Sequence, residues 1–220
     1  MPTESTNRVR PAGHTRKLAL DVVGTRELLI RCGMELLTER GYGGTVLEAV
    51  LQKTGIPKGS FYHHFRSKDA FGIAVLAAYD EYFQRKLSRW LSDESVPPLA
   101  RIRRFVEDAK RGMARHRFTR GCLVGNFGQE LGVLPDNYRG LLNDILDSWA
   151  ARIETCLEAA RRQGHIPASS HCPRLAQFFW IGWEGAVMRA RMKQNAEPLD
   201  AFIDAYLETI AIAPDSGCTR

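Results

Sequence analysis

TVLEAVLQKTGIPKGSFYHHFRSK, residues Thr45 to Lys68, divides into two short helical pieces around a break. Thr45 followed three residues later by Glu48 has the pattern of a capping box, a hydroxyl for the free N–H groups of a new helix and a carboxylate reaching back. Val46, Ala49 and Val50 continue with helical spacing, and Gly55 suits the left-handed position that ends a helix. Ile56 packs under the turn. Pro57, with its fixed φ and missing N–H, fits the first turn of a second helix running from about Lys58 to Phe65. Ser67 then caps a third. Two helices joined by a tight glycine-containing turn make a helix-turn-helix.

The second helix divides its labour. Phe61 and Phe65, four residues apart, share one face and anchor it to a core. Lys58, Gly59, Ser60, Tyr62, His63 and His64 are left to other faces, an outer surface suited to a DNA groove. The run TGIPKGSFYHHFRSKDAF resembles the recognition helix and following helix start of TetR-type transcriptional regulators. The resemblance is sequence-specific over residues 25–71 and architectural over the rest. It implies three DNA-binding helices, then a carboxy-terminal helical domain that forms a homodimer and binds a small effector. Two-fold symmetry would set two recognition helices one DNA turn apart on a palindromic operator. Lys58, Gly59, Ser60, Tyr62, His63 and His64 are then expected to face double-stranded DNA. Thr45 and Lys68, at helix starts, are suited to phosphate. His63 and His64 are adjacent and point apart on a helix, so they make a poor metal pair.

Charge follows the same division. Residues 1–68 hold 11 Lys+Arg and 6 Asp+Glu, a net of +5, out of +6 for all 220 residues. The basic excess therefore accompanies the helix-turn-helix, where phosphate binding needs it. No apolar run approaches the ~20 residues of a membrane span, and the amino terminus lacks the apolar centre of a signal peptide. A cytoplasmic protein with no membrane partner is expected. The five cysteines (Cys32, Cys122, Cys156, Cys172, Cys218) are scattered without metal-ligand spacing. They read as reduced thiols, Cys32 and Cys156 as small core hydrophobes, and no metal or other cofactor is expected.

In chain order, residues 1–20 read as a flexible basic arm, with Arg16 and Lys17 available to phosphate or minor groove. Residues 21–68 form the DNA-binding domain and 69–220 the effector-binding and dimerisation domain. A first helix, about Thr25 to Arg40, carries the stripe Leu28, Leu29, Cys32, Leu36 and Leu37 as support for the motif. A long helix runs from Ser67 to about Ser92, roughly 35 Å at ~1.5 Å per residue, and is a candidate lever between two sites. Further helices follow at about 99–115, 122–131, 136–163, 173–193 and 199–213. No period-2 strand is evident, so the fold is all-α. The last two helices fit the family's dimer element.

RGCLVGNFGQELG, Arg120 to Gly132, is the second informative segment. Its GCLVGN resembles a TetR-type subgroup that includes an acrylate-responsive repressor, which implies a small carboxylate or related electrophile as effector. Phe127, Trp149, Trp180 and Trp183 are expected as pocket walls, with Arg120, Asn126 and Arg191 as polar handles, since a carboxylate favours an Arg fork. Cys122, at a helix start, is the candidate reactive thiol of a second mechanism, redox or electrophile sensing. A third, enzymatic reading would have to assemble His116, Glu130 and Cys122, and no motif positions them. The expected function is a ligand-responsive repressor that releases its operator when effector binds. Activation in place of repression is the alternative the sequence leaves open.

Overall fold

The computed structural model describes residues 13–45 and 47–211, with side chains from Gly24 onward. Among the described residues every regular element is a helix. α1 is Gly13–Arg40, α2 Leu47–Thr54, α3 Lys58–His64, α4 Lys68–Leu91, α5 Pro98–Arg115, α6 Leu123–Gln129, α7 Asn137–Arg162, α8 Cys172–Lys193 and α9 Glu197–Ile210. None is long and apolar enough to cross a membrane.

Two expectations need correction at the amino-terminal end. Residues 13–20, read as part of a flexible arm, belong to α1. Leu18, Ala19 and Leu20 are good helix formers, and the chain meets no proline between Ala12 and Arg40 to stop a helix. Residues 1–12, with Arg8 and Arg10, lie outside the described residues, as does Cys218. The second correction concerns Thr45. It is buried, 2% exposed, and its hydroxyl donates back to the Gly41 carbonyl at 2.7 Å. It therefore fastens the α1–α2 turn from inside and offers nothing to phosphate. Position 46 lies outside the described residues.

The helix-turn-helix closes as its punctuation dictates. Gly55 has φ of +69°, the left-handed region that glycine occupies without cost, and its N–H donates to the Leu51 carbonyl at 2.8 Å. Pro57 precedes α3 in an extended conformation. Phe61 and Phe65 are 0% and 4% exposed and meet Phe71 of α4 at ring-centroid distances of 5.3 and 5.1 Å. Ser67 accepts from the Ala70 N–H at 3.0 Å and so starts α4. At its other end, buried Arg101 donates to the Leu91 and Val96 carbonyls (3.4 and 2.6 Å), satisfying the last turn of α4 and the loop beyond it.

α4 ties the two halves together. Toward its start it packs against α1: a Cβ on Gly33 would lie 2.6 Å from the side chains of both Phe71 and Val75, so these two side chains rest directly on the α1 backbone. Further along, Phe83, Phe105, Trp149 and Trp180 form an aromatic centre shared by α4, α5, α7 and α8. Dispersion and offset ring contacts of this kind add about 0.5–1.5 kcal/mol per pair to area burial. The four described cysteines are free and buried.

Candidate functional site

The recognition helix presents the surface its composition calls for. Lys58, Gly59, Tyr62 and His63 are exposed, Tyr62 at 47%, while Ser60 and His64 are half-buried. Partial burial, then the nearby charges of His63 and Arg26, lower the pKa of His64. Its imidazole is neutral at neutral pH, with one donor and one acceptor nitrogen. Arg26 of α1 stacks on the Phe65 ring at 5.3 Å and brings a second cation beside α3. Lys68 behaves otherwise than expected. Its ammonium donates to the Tyr42 carbonyl at 2.9 Å and sits 4.3 Å from the Tyr42 ring centroid. Both bonds are internal, so its first task is to hold the α1–α2 turn against α4.

A cavity of about 290 Å³ lies between α1, α4, α5, the 116–121 loop and α8. Tyr79, Tyr82 and Phe83 of α4, Met113 of α5, and Trp183 and Val187 of α8 make its apolar wall. Arg31 of α1, Lys86 of α4, Arg115 and Arg120 bring positive charge to it, against Glu35 of α1, and His116 adds an imidazole whose pKa is lowered by partial burial and by the neighbouring Arg120 and Arg115 charges. Lys86 is already paired with Asp108 at 2.9 Å, and Arg120 lies 3.6 Å from Glu35. The Glu35 carboxylate makes its shorter contact, 2.6 Å, with Lys53 of α2, and that bond lowers its pKa. The cavity is thus apolar on one side and net cationic on the other, and one wall is α1 itself.

Of the eight residues expected to line an effector pocket, Arg120, Cys122 and Trp183 line this cavity. The others have different duties. Asn126 donates to the Leu37 and Thr38 carbonyls at 3.1 and 3.0 Å and accepts from Arg191 Nη1 at 3.0 Å. Arg191 Nη2 donates to the Glu39 carbonyl at 2.8 Å, and the Gly121 N–H to Thr38 O at 3.0 Å. Together they satisfy carbonyls that the last turn of α1 leaves open and place a cation at its negative end. Phe127 packs with Tyr42 and Tyr138. Trp149 is fully buried and donates to Asp80 at 2.7 Å. Trp180 is core, its indole N–H enclosed and without a partner among the described residues. Glu130, in the enzymatic reading a possible base, accepts from the Gly43 N–H at 2.7 Å and clips the α1–α2 turn to α6.

Cys122 sits at the start of α6 and accepts from the Gly125 N–H at 3.5 Å, as a helix-start thiol should. Yet burial, reinforced by the Glu184 charge, pushes its pKa well above the ordinary thiol value. The activated thiolate expected at this position is not what this environment favours. Glu184 itself is pushed up to about 7 by burial, and Tyr79 is also raised, mainly by burial. Tyr79 and Cys122 stay protonated at the inner edge of the cavity, and Glu184 behind them holds its proton up to about pH 7. Among the described residues no group of three His, Cys, Asp or Glu side chains is placed to hold a metal ion.

The α1 and α4 contributions were missed in the sequence. Arg31, Met34, Glu35 and Thr38 fall at positions i, i+3, i+4 and i+7, a second stripe on α1 beside its buried one. That spacing was the available signal.

Known proteins resemble most of this chain. Residues 29–75 match the family described as bacterial regulatory proteins, tetR family, and residues 98–206 match a tetracyclin repressor-like C-terminal domain. The transcriptional regulator AcuR of Cereibacter sphaeroides is 45% identical over 199 residues, covering 90% of this chain and 89% of that protein. The HTH-type transcriptional repressor DhaR of Mycobacterium sp. (strain GP1) is 35% identical, over 84% of this chain and 91% of its own. A crystal structure of a regulatory protein TetR from Rhodobacter sphaeroides superposes with a TM-score of 0.83 at 45% identity, covering 84% of this chain and 98% of that one. The reduced form of E. coli NemR superposes with a TM-score of 0.78 at 29% identity, covering 87% and 99%.

Proposed function

The chain belongs to the TetR family of bacterial regulatory proteins, and on that premise we propose that it is a transcriptional repressor that releases its operator when a small anion enters the α1/α4/α5/α8 cavity. The observation that carries this reading is the shared wall. Glu35 and Arg31 belong at once to the cavity and to the helix that supports α2 and α3. A ligand that prefers a different spacing of α1 and α4 therefore has a direct mechanical hold on the recognition helix, and shifts DNA affinity by as much as it discriminates between the two arrangements. The basic side of the cavity favours an anionic effector, and the GCLVGN resemblance to a subgroup with an acrylate-responsive repressor makes acrylate the first to try.

Two copies would pair through α8 and α9. Phe178, Ile181, Met188 and Met192 stay 51%, 73%, 41% and 71% exposed, and their spacing along α8 makes one apolar stripe of the kind that seeks a partner helix. Lys58, Ser60, Tyr62, His63 and His64 would read the groove on each half-site.

The test begins with selection of duplexes from random DNA by the purified protein, followed by titration of the selected site. Sub-micromolar binding that acrylate or a related acid weakens supports the proposal. Failure to enrich any sequence, or affinity indifferent to every acid tried at saturating concentration, sinks it.

A further inference from the structure

We infer that the effector is an amphipathic molecule with an apolar body and a head group carrying at least two negative charges. This rests on reading the cavity as the effector site. A cavity of about 290 Å³ is close to the lower size of pockets that enclose drug-sized ligands. A three-carbon acid would cover little of the wall made by Phe83, Trp183 and Val187.

The head group is argued from what lies next door. A second, polar depression of about 460 Å³ opens on the other side of Arg115, His116 and Arg120, which line both spaces, and adds Arg117, Thr119, Glu39 and Gln194. A ligand seated in the apolar cavity thus has its head beside three residues that also line a cationic groove. Arg31, Arg115 and Arg117 form no ion pair among the described residues, and Arg120 has only the longer share of Glu35. That leaves more unmatched positive charge than a single carboxylate neutralises, and guanidinium groups pair best with multiply charged oxyanions. Arg117 and Phe118 both adopt left-handed backbone, φ of 50° and 56°. Successive residues in that region are held there by their surroundings, and such strain collects at ligand clamps. The Phe118 N–H is held by the Met113 carbonyl at 2.9 Å, which fixes the turn carrying Arg117 over the groove.

The experiment uses the full chain and three probes, octyl phosphate, octanoate and acrylate, titrated calorimetrically and then against the protein–operator complex. Octyl phosphate should bind at least about tenfold tighter than octanoate, and octanoate tighter than acrylate. Arg117→Gln, an exposed substitution, should weaken octyl phosphate about tenfold and leave octanoate within about twofold. Equal affinity for the two eight-carbon probes, or indifference of octyl phosphate to Arg117→Gln, overturns the inference. If acrylate releases the operator while neither eight-carbon probe binds, the inference falls and the repressor reading stands. Binding with the expected preferences but unchanged operator affinity leaves the ligand class standing and removes the regulatory reading.

Discussion

Asn126 Oδ1 accepts a hydrogen bond from Arg191 Nη1 at 3.0 Å, and from this pair donors run on to the carbonyls of Leu37, Thr38 and Glu39. Residues 65 positions apart in the chain thereby join α6 and α8 to the end of α1. Asn126→Ala removes one donor each from the Leu37 and Thr38 carbonyls, which keep the Gly41 and Gly121 N–H groups, and takes the acceptor from Arg191 Nη1; it should cost about 1–3 kcal/mol of unfolding free energy. Asn126→Asp should cost at least as much, because a carboxylate would face the same carbonyl oxygens. Chemical denaturation of the two variants checks this; an Asp variant as stable as the parent would contradict the donor role.

Lys58 and Tyr62 are exposed on α3, Tyr62 touching the core only through the edge of the Phe61 ring at 5.4 Å. The double substitution to Ala should leave the melting temperature unchanged and weaken operator binding at least about tenfold, read by fluorescence anisotropy. Phe61→Ala on the buried side of the same helix should instead cost about 3–5 kcal/mol of stability.

Thr45 provides the complementary case. Thr45→Val should lose about 1 kcal/mol of stability with the hydrogen bond to Gly41. The salt dependence of DNA binding should stay as in the parent, since no phosphate contact is removed. A shallower dependence of log affinity on log salt would restore Thr45 to the DNA interface.

Glu184 predicts a pH signature. Its folded pKa is raised to about 7, whereas an unfolded glutamate ionises near 4.3. Between these values the unfolded state holds fewer protons, so the contribution of Glu184 to stability falls as pH rises from about 4.3 to about 7 and is level above. Glu184→Gln should remove that slope. The difference in unfolding free energy between the two proteins should change by about 3–4 kcal/mol across the window.

For Cys122 the raised thiol pKa predicts slow alkylation. Iodoacetamide at about pH 7.5 should modify it at least about tenfold more slowly in the folded than in the unfolded protein. Cys122→Ser should still release operator on effector binding. Loss of release in that variant would point to covalent sensing.

The helices could be read in the sequence because their ends are written in local chemistry. Gly55, Pro57 and Ser67 act on the backbone within a few residues, and the Phe61/Phe65 pair shows which face is inward. The recognition surface follows from the same spacing. The cavity between α1, α4, α5 and α8 was only partly legible, for a physical reason. Trp149 and Trp180 are large and apolar, and nothing local distinguishes a core tryptophan from a pocket wall. Asn126 and Arg191 are polar groups whose partners are carbonyls at the end of a helix over 80 residues away. Thr45 has the pattern of a cap, but its hydroxyl found a nearer acceptor in the preceding turn. Residues 13–20 looked irregular because their charges form no stripe, although their helix propensity is ample.

At Gly33 the α1 backbone lies against Phe71 and Val75 with no space for even a methyl group. Two helices in such contact cannot slide past each other without losing their packing, so that joint has no mechanical play. A ligand wedged further along, between Glu35 and Tyr82, could only tilt the pair about this point. Gly33 is thus the fulcrum, and substituting Ala there would be expected to alter how much motion of α3 a given effector produces, whatever it does to the affinity for that effector.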